Sequence, residues 1–444
     1  MRILSVLQMP ARSFFWASLF SIGLGVGTVQ AAPAAKSLNK PAAPATTPQA
    51  TTEVDFAHAL GRVNAARLQT LVDRFNVQTG SKVKLVSLDD AQRPSPLNLA
   101  TPSSISHFLT RKSSFKPLFE TMKEAGQPLD VGQLSQDLFV AELGSGKQPI
   151  ALPVAFSTPV LFYDKLAFRH AGLDPESPPK TWQEMQVVSG KLMDAGYACP
   201  YTTSWPTWIH IDNLSALSGV QVSNKQKELG FNSLPQVRHI ARLSAWYKAE
   251  YFKVFGTRDE ADGHFAKRDC VMLTSNSWIE SWLRDVPGLE LGIAPLPHDE
   301  DVYGGRRHTL TDGSSLWIGA GYGKSEYLTV AKFVKFLLAP DVQIELARVG
   351  NFIPLTQTAR TALRSRLFRD EAHTQNVITS SLQGQGASES IRLGSIEQVR
   401  AIIDDELNAV WADKKPAKAA LDDAVVRSNA LLNRLPALKK GLPF

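Results

Sequence analysis

The segment from Ser157 to Trp182 carries the strongest local instructions in the chain, STPVLFYDKLAFRHAGLDPESPPKTW. Val160 to Tyr163 is a short apolar and aromatic run. Pro159 before it suits the first position of a strand, because proline cannot donate to a sheet ladder. Two proline-containing pairs then interrupt any helix, after which Thr181 predicts an N-cap with Glu184 as its capping-box partner. The segment therefore predicts a strand, a helix, a turn and the start of a second helix.

The rest of the chain alternates amphipathic helices with short apolar strands. Residues 59–78 predict a helix, residues 82–87 a half-buried strand, and residues 270–274 a buried strand between polar turns. Two long helices are predicted at 396–411 and 417–435. At 444 residues the chain exceeds the size at which one hydrophobic core stops growing. We therefore predict an α/β fold with two domains.

Residues 1–31 have the parts of a secretory signal: a positive start, an apolar centre and a small-residue cleavage site. An uncleaved membrane anchor is the alternative, since no charge occurs between Arg12 and Lys36, but several glycines make it a weak span. Residues 32–53 are rich in alanine, proline and threonine and predict a disordered leader. The mature chain is expected to be exported.

Charge and motifs argue against several classes of function. The net charge of +6 is spread along the chain rather than gathered in one run, so nothing predicts nucleic-acid binding. The sequence has no G-x-S-x-G, H-E-x-x-H or C-x-x-C motif, and its histidines lack metal-ligand spacing. Gly319 to Ser325 resembles a phosphate loop, but Ile318 stands where its first glycine is required. We therefore predict no enzymatic activity, no metal and no cofactor.

Arg400 is the charged residue whose position in the sequence most needs an explanation. It lies at the edge of an apolar stripe formed by Ile396, Val399 and Ile403 on the predicted helix at 396–411. A charge there needs a partner, because removing it from water is costly. From these residues alone we favour a salt bridge to an aspartate, or a side chain that reaches back to solvent.

Several motifs occur in the order typical of a known family. S-T-P-V-L, F-Y-D-K, A-G-L-D-P and P-P-K-T-W follow one another in the central segment, and V-W-A-D-K-K-P-A-K-A-A-L-D-D-A stands near the C-terminus. The chain thereby resembles the periplasmic sn-glycerol-3-phosphate-binding proteins of ABC importers, within the extracellular solute-binding protein family. The resemblance is strong after Leu152. It implies a two-lobed, type II periplasmic binding-protein fold with a hinge and an interlobe cleft.

The resemblance also implies a division of the chain and a set of ligand contacts. The two α/β lobes would comprise residues 54–156 plus 276–312, and residues 157–275 plus 313–444. Four ligand contacts of the family fall on Ser157, Asn276, Gly313 and Arg400. We expect the ligand's negative group, rather than a neighbouring carboxylate, to be the counter-ion of Arg400. For the other three positions a turn serine, a helix cap and a turn glycine remain as alternatives.

The sequence departs from the family at other ligand positions. Phe352 stands where the family has a tyrosine, so stacking is kept while a phenolic hydrogen bond is lost. Ser103 stands where a family glutamate would bind glycerol hydroxyls, and a stretch carrying a ligand-contacting tyrosine is missing from the first lobe. These losses weaken polyol recognition more than phosphate recognition.

Two further groups of residues have open interpretations. Trp205 and Trp208 would line the cleft or pack in a lobe core. The cluster of Arg306, Arg307 and His308 would contact an anion or form a solvated loop.

The two cysteines of the chain are Cys199 and Cys270. In an exported protein they are either two buried thiols or one disulfide that closes a long loop. The family has cysteines at both positions, and this resemblance implies the disulfide.

The predicted function is capture of a small phosphorylated solute, sn-glycerol 3-phosphate or a glycerophosphodiester, and its delivery to the permease subunits of an ABC importer in the inner membrane. We expect a monomer. The first alternative is a binding protein for a neutral sugar or oligosaccharide, with Arg400 paired internally. The others are an exported phosphodiesterase and an interaction protein that no longer binds solute.

Overall fold

A computed structural model describes residues 52–58, 62–88, 93–101, 114–135, 138, 148–224, 228–300, 308–366, 369–382 and 396–434. The described residues belong to one compact unit. The predicted signal peptide at 1–31 lies outside the described residues, and so does all but the end of the predicted leader at 32–53. Glu53, which the prediction placed in the leader, begins the first strand.

The strands of the described residues fall into two sheets. They are β1 (Glu53–His58), β2 (Lys82–Ser87), β3 (Leu97–Ala100), β4 (Phe115–Lys116), β5 (Leu152–Ser157), β6 (Pro159–Asp164), β7 (Tyr201–Thr203), β8 (Phe252–Lys253), β9 (Met272–Asn276), β10 (Leu291–Pro295) and β11 (Asp312–Gly319).

Helices alternate with these strands, in agreement with the predicted α/β class. They are α1 (Arg62–Thr79), α2 (Leu118–Glu124), α3 (Lys165–His170), α4 (Trp182–Asp194), α5 (Leu214–Ser218), α6 (Leu234–Lys248), α7 (Glu260–Ala266), α8 (Glu280–Leu283), α9 (Lys324–Leu337), α10 (Pro340–Gly350), α11 (Gln357–Arg366), α12 (Arg369–Ser381), α13 (Ile396–Trp411) and α14 (Ala417–Arg434). A π-helix at Trp208–Asn213 precedes α5. Among the described residues, none of these helices is long and apolar enough to cross a membrane.

The first sheet has the strand order β2-β1-β3-β11-β4, and β5 also pairs with β11. β1 is parallel to both β2 and β3, whereas β11 is antiparallel to β3, β4 and β5. Phe56 of β1, Phe75 of α1 and Phe333 of α9 are fully buried or nearly so and lie in one apolar cluster. Their rings meet edge-on, an arrangement that aromatic pairs favour.

The second sheet has the strand order β10-β6-β9-β7-β8. β7 is parallel to β8 and β9, and β6 is antiparallel to β9 and β10. The two C-terminal helices α13 and α14 pack into the same apolar cluster as Leu161 of β6 and Trp182 of α4. Each sheet therefore has its own core, as expected for two domains.

The predicted start of α4 is confirmed. The Thr181 hydroxyl accepts a hydrogen bond from the Glu184 backbone N–H at 3.1 Å, and the Glu184 carboxylate accepts one from the Lys180 backbone N–H. The first contact satisfies an N–H group that a helix start leaves without an intrahelical partner, and the second ties the residue before the N-cap to the first turn. Local sequence is sufficient here, because all partners lie within four residues.

The sheet pairings correct two parts of the predicted division into lobes. Residues 276–312 were assigned to the first lobe, but β10 within them pairs with β6 in the second sheet. Residues 313–444 were assigned to the second lobe, but β11 lies in the first sheet, and α9 packs in the apolar cluster of that sheet. Strand pairing depends on residues far apart in sequence, so a linear division based on motif order missed it.

Cys199 and Cys270 form the disulfide that the resemblance implied, with an S–S distance of 2.04 Å and 71 residues of sequence separation. Cys199 precedes β7 and Cys270 precedes β9, and these two strands are parallel neighbours. The disulfide therefore ties together the starts of two strands in the second sheet.

Replacing both cysteines with alanine should lower the free energy of unfolding by about 4 kcal/mol, because a long loop in the unfolded chain is no longer closed. Urea denaturation of the oxidised wild type and of the double variant measures the difference. Wild type treated with a reductant is the control and should lose a similar amount. An unchanged denaturation midpoint in the double variant would contradict the prediction.

Candidate functional site

The two sheets are joined where β5 runs directly into β6, with Thr158 alone between the strands. Ser157 ends β5 and pairs with Asp312 of the first sheet. Pro159 begins β6 and pairs with Asn276 of the second sheet. Three of the predicted site positions, Ser157, Asn276 and the neighbourhood of Gly313, are therefore brought to one place by the strand register.

A second connection leads from β10 to β11, and its described residues 308–311 lie beside the first connection. The hydroxyls of Thr158 and Thr309 hydrogen-bond to each other, and the backbone N–H of Leu310 donates to Asn213 Oδ1 at 2.8 Å. Asn213 ends the π-helix, so this connection is held against an element that packs with the second sheet's helices. We call residues 157–159, 276 and 309–313 the junction.

Gly313 is required by the close approach of two backbones. It pairs with Phe156, and a Cβ added at this position would lie 2.0 Å from the carbonyl oxygen of Ala155. No side chain fits at that distance, so this residue permits β5 and β11 to pair at the junction. The backbone of Gly313 therefore closely approaches strand β5 of the protein itself.

Arg400 reaches the junction from α13. Val399 and Ile403, beside it on the helix, are fully buried in the core of the second sheet. The Arg400 guanidinium donates from Nη1 to Asp312 Oδ2 at 3.0 Å and from Nη2 to Asp212 Oδ2 at 3.1 Å. Longer contacts of 3.4 Å join Nε to Asp212 and Nη1 to Glu397.

The prediction that a carboxylate of the protein would not serve as counter-ion to Arg400 is therefore wrong. Asp312 and Asp212 lie 88 and 188 residues from Arg400 in sequence, so the helix pattern alone could not identify them. The alternative interpretation, in which Arg400 forms a salt bridge to an aspartate, agrees with the observed contacts. Glu397 was detectable in principle, because residues three apart share a helix face.

We call Arg400, Asp212, Asp312 and Glu397 the ionic group. Burial and the neighbouring charges shift the pKa values of its members in opposite directions. Burial works to lower the pKa of Arg400, but the negative charges of Asp312, Asp212 and Glu397 outweigh it, and the net shift is upward. Burial raises the pKa of Asp212 to about 6, although Arg400 opposes that shift. The guanidinium is thus permanently charged, while Asp212 is less well stabilised as an anion than an exposed aspartate.

The residues around Asp212 belong to the segment that carries the predicted tryptophan pair. Trp208 is buried in a small cluster with Ile209 and Leu217, which favours the core interpretation for this residue. Trp205 is half-buried, has a positive φ of 52°, and lies under the guanidinium of Arg258, 5.4 Å from the ring centre. Trp205 is therefore the better placed of the two to meet a solute.

The carboxyl ends of β7 and β9 carry a second set of buried polar groups. Ser204 donates from its hydroxyl to Asp262 Oδ1 at 2.6 Å. Burial raises the pKa of Asp262 to about 6, while the hydrogen bond from Ser204 opposes the shift. Asn276 follows and is 5% exposed, and its Oδ1 has no hydrogen-bond partner among the described residues. Ligands commonly bind at the carboxyl edge of strands in α/β sheets.

Phe352 lies beside the junction on the side of the first sheet. The backbone N–H of Ile353 donates to the Phe156 carbonyl at 3.1 Å, next to Ser157. Phe352 also lines an apolar pocket that opens to solvent, together with Phe56, Leu68, Leu71, Leu99 and Val154. Arg400, Asp212 and Asn276 do not line this pocket, so it is separate from the ionic group.

Some predicted site residues cannot be placed. Ser103 lies outside the described residues, and so do Arg306 and Arg307 of the predicted basic cluster. His308 is described, and its Nδ1 contacts the carbonyl of Thr309 at 3.0 Å.

Two α/β lobes, joined by adjacent connections with ionic and polar residues between them, define a two-lobed solute-binding protein.

Comparison with known proteins agrees with this class. The sequence is 31% identical over 418 residues to the sn-glycerol-3-phosphate-binding periplasmic protein UgpB of Salmonella typhimurium, covering 88% of this chain and 95% of that protein. The structure of UgpB from Mycobacterium tuberculosis in complex with glycerophosphocholine has a TM-score of 0.71 at 18% identity, covering 87% of this chain and 99% of that one. The cyclic alpha-maltosyl-1,6-maltose binding protein of Arthrobacter globiformis gives 0.70 at 20% identity, covering 88% and 100%. The two structures bear on the fold alone.

The bacterial extracellular solute-binding protein family matches residues 70–373. The chain belongs to this family. The predicted family, the two-lobed fold and the periplasmic location are thereby confirmed.

The raised pKa of Asp262 predicts a specific pH dependence of stability. Because the folded state holds the proton more tightly than the unfolded state, its contribution is present below about pH 4 and is lost as pH rises through about 6. Relative to Asp262→Asn, wild type should therefore lose about 1–3 kcal/mol of unfolding free energy between pH 4 and pH 7.

Urea denaturation of both proteins at several pH values measures this difference. Asp194→Asn, at the exposed end of α4, is the control and should parallel wild type across the range. A wild-type to Asp262→Asn difference that does not change with pH would contradict the prediction.

Proposed function

We propose that this periplasmic solute-binding protein captures sn-glycerol 3-phosphate or a glycerophosphodiester and delivers it to the permease subunits of an ABC importer. The observation that carries the proposal is the position of Arg400, a permanently charged guanidinium at the junction of the two sheets. The curated relatives, which are named sn-glycerol-3-phosphate-binding proteins, support the same ligand class.

Arg400 keeps a donor for the ligand despite its carboxylate contacts. A guanidinium has five N–H groups, and the contacts to carboxylates among the described residues account for four. The side chain of Asp312 is 38% exposed, so it is the most easily displaced of the partners. A ligand phosphate would meet the remaining N–H and exchange with Asp312, forming a charge-assisted hydrogen bond.

The other proposed contacts are neutral. The Ser157 hydroxyl, the Asn276 amide and the backbone at Gly313 would hydrogen-bond the solute, with Phe352 on the side of the first lobe. Ser103, the remaining predicted contact, lies outside the described residues. The lobes would close about the junction as a hinge. This role needs no covalent chemistry, and the protein would act as a monomer with the permease as its partner.

A neutral sugar is the second candidate, and the carboxylates around Arg400 favour it. Asp212, Asp312 and Glu397 already neutralise the guanidinium, so an anionic ligand must compete with them or tolerate their charge. Trp205 is half-buried, and a sugar could contact the part of its ring that Arg258 and the Trp208 cluster leave exposed. If the ligand is a phosphate ester, the negative charge of these carboxylates favours a phosphodiester monoanion over a phosphomonoester dianion.

Calorimetric titration of the purified mature protein with sn-glycerol 3-phosphate, glycerophosphocholine and maltose separates these candidates. For the phosphate proposal, we expect both phosphate ligands to bind. Arg400→Gln should weaken them about 10- to 100-fold, since a hydrogen bond to a charged group contributes about 1.5–3 kcal/mol.

Arg427→Gln is the matched control, because Arg427 also pairs with two carboxylates but lies on α14, away from the junction. It should leave affinity within about twofold. Thermal unfolding of each variant checks that the fold is retained. Binding of maltose alone, with affinity unaffected by Arg400→Gln, would disprove the phosphate proposal.

A further inference from the structure

Asp212 has one carboxylate oxygen to which none of the described residues donates a hydrogen bond. The residue is 4% exposed, and its Oδ1 has no hydrogen-bond partner among the described residues. An ionised carboxylate accepts hydrogen bonds at both oxygens, and leaving one without a donor in a buried position is costly. Such an atom in a native structure indicates a strained site, a bound water or a ligand contact.

Arg400 fixes which oxygen remains open. Both Nε and Nη2 of the guanidinium donate to Oδ2 of Asp212, so the arginine holds the carboxylate by one oxygen. Nη1 is directed to Asp312 and Glu397 instead. The arrangement orients Asp212 and leaves Oδ1 as the acceptor for another group.

The surroundings select the chemistry of that group. Asp212, Asp312 and Glu397 all contact Arg400, and Glu397 also pairs with Arg258 at 2.9 Å. Three carboxylates therefore face two guanidinium groups, and the remaining negative charge disfavours an anion at Oδ1. Two more buried oxygens at the junction, Asn276 Oδ1 and Thr311 Oγ1, also have no partner among the described residues. Oδ1 of Asp212 and Oδ1 of Asn276 can only accept hydrogen bonds, so they require a donor.

The backbone places Asp212 at the junction rather than deep in one lobe. It lies in the π-helix whose last residue, Asn213, accepts a hydrogen bond from Leu310 of the β10 to β11 connection. Its partner Arg400 also bonds Asp312, which begins β11. π-Helical turns are frequent at functional sites because they shift side chains out of regular register.

We propose that Asp212 is a specificity-determining ligand residue whose Oδ1 accepts a hydrogen bond from a hydroxyl of the bound solute, and that Arg400 is its positioning residue. The inference rests on the proposed function in one respect, that a solute binds at the junction. The hydroxyl would belong either to the glycerol part of a phosphorylated solute or to a sugar ring.

Hydroxyl selectivity is the measurement that tests the proposal. Calorimetry at pH 7.5 compares sn-glycerol 3-phosphate with n-propyl phosphate, which lacks its two hydroxyls, and adds maltose as a hydroxylated ligand without phosphate. Wild type should prefer glycerol 3-phosphate to propyl phosphate at least tenfold. Asp212→Asn should lower that preference at least fivefold. The amide oxygen of the variant would face Arg400, so its NH₂ group would stand in place of Oδ1 and could not accept a hydrogen bond from the solute hydroxyl.

Asp404→Asn is the charge-matched control. Asp404 is a buried carboxylate on α13 near Arg400, but its Oδ1 accepts a hydrogen bond from the Thr207 hydroxyl. It should keep the preference within about twofold. Arg400→Lys is the second variant: it keeps the charge but cannot hold Oδ2 with two N–H groups, so the preference should fall while binding of propyl phosphate persists.

The outcomes distinguish this proposal from the phosphate proposal. If neither phosphate ligand binds but maltose does, and Asp212→Asn weakens maltose at least fivefold, the phosphate proposal fails and the role of Asp212 stands. An unchanged preference in Asp212→Asn, or an equal fall in Asp404→Asn, would overturn it and assign Oδ1 to a structural water. Failure of every hydroxylated probe to bind wild type would also overturn it.

Discussion

The guanidinium of Arg400 joins charges from both sides of the junction. Asp312 begins a strand of the first sheet, Asp212 belongs to a π-helix that packs with the second, and both are held within 3.1 Å of the same side chain. Buried charges are stable only when paired, and removing one partner of a buried pair typically costs about 3–5 kcal/mol. The arrangement of the junction therefore depends on this ionic group.

Backbone geometry brings the ionic group to its place. β5 passes into β6 through Thr158, and the hydroxyl contact with Thr309 holds the return connection beside it. Gly313 allows β11 to approach β5 more closely than any side chain would permit. Two adjacent connections thus join the sheets, and α12 adds a further contact by placing Val377 in a cluster of the second sheet and Ile378 in that of the first. Adjacent connections between two lobes are the geometry that a hinged solute-binding protein requires.

The electrostatics of the junction bear directly on ligand choice. Arg400 contacts three carboxylates, of which Glu397 also pairs with Arg258, and Asp212 keeps an oxygen that the described residues do not satisfy. A solute that combines modest negative charge with hydroxyl groups matches this balance better than a phosphate dianion alone. Arg400 can serve both as an anion contact and as the residue that orients Asp212, because a guanidinium has donors on three nitrogens.

The sequence by itself determined the features that depend on neighbouring residues or on the order of the family's motifs. The N-cap at Thr181, the strand after Pro159, the inward position of Arg400 on its helix and the family of the protein could all be read from neighbouring residues or ordered motifs. Only the tertiary structure decided that β10 and β11 lie in different sheets, and that Asp212 and Asp312 are the partners of Arg400. The physical reason is that strand pairing and buried ion pairs depend on contacts between residues 88 to 188 positions apart in the chain, which no local pattern encodes.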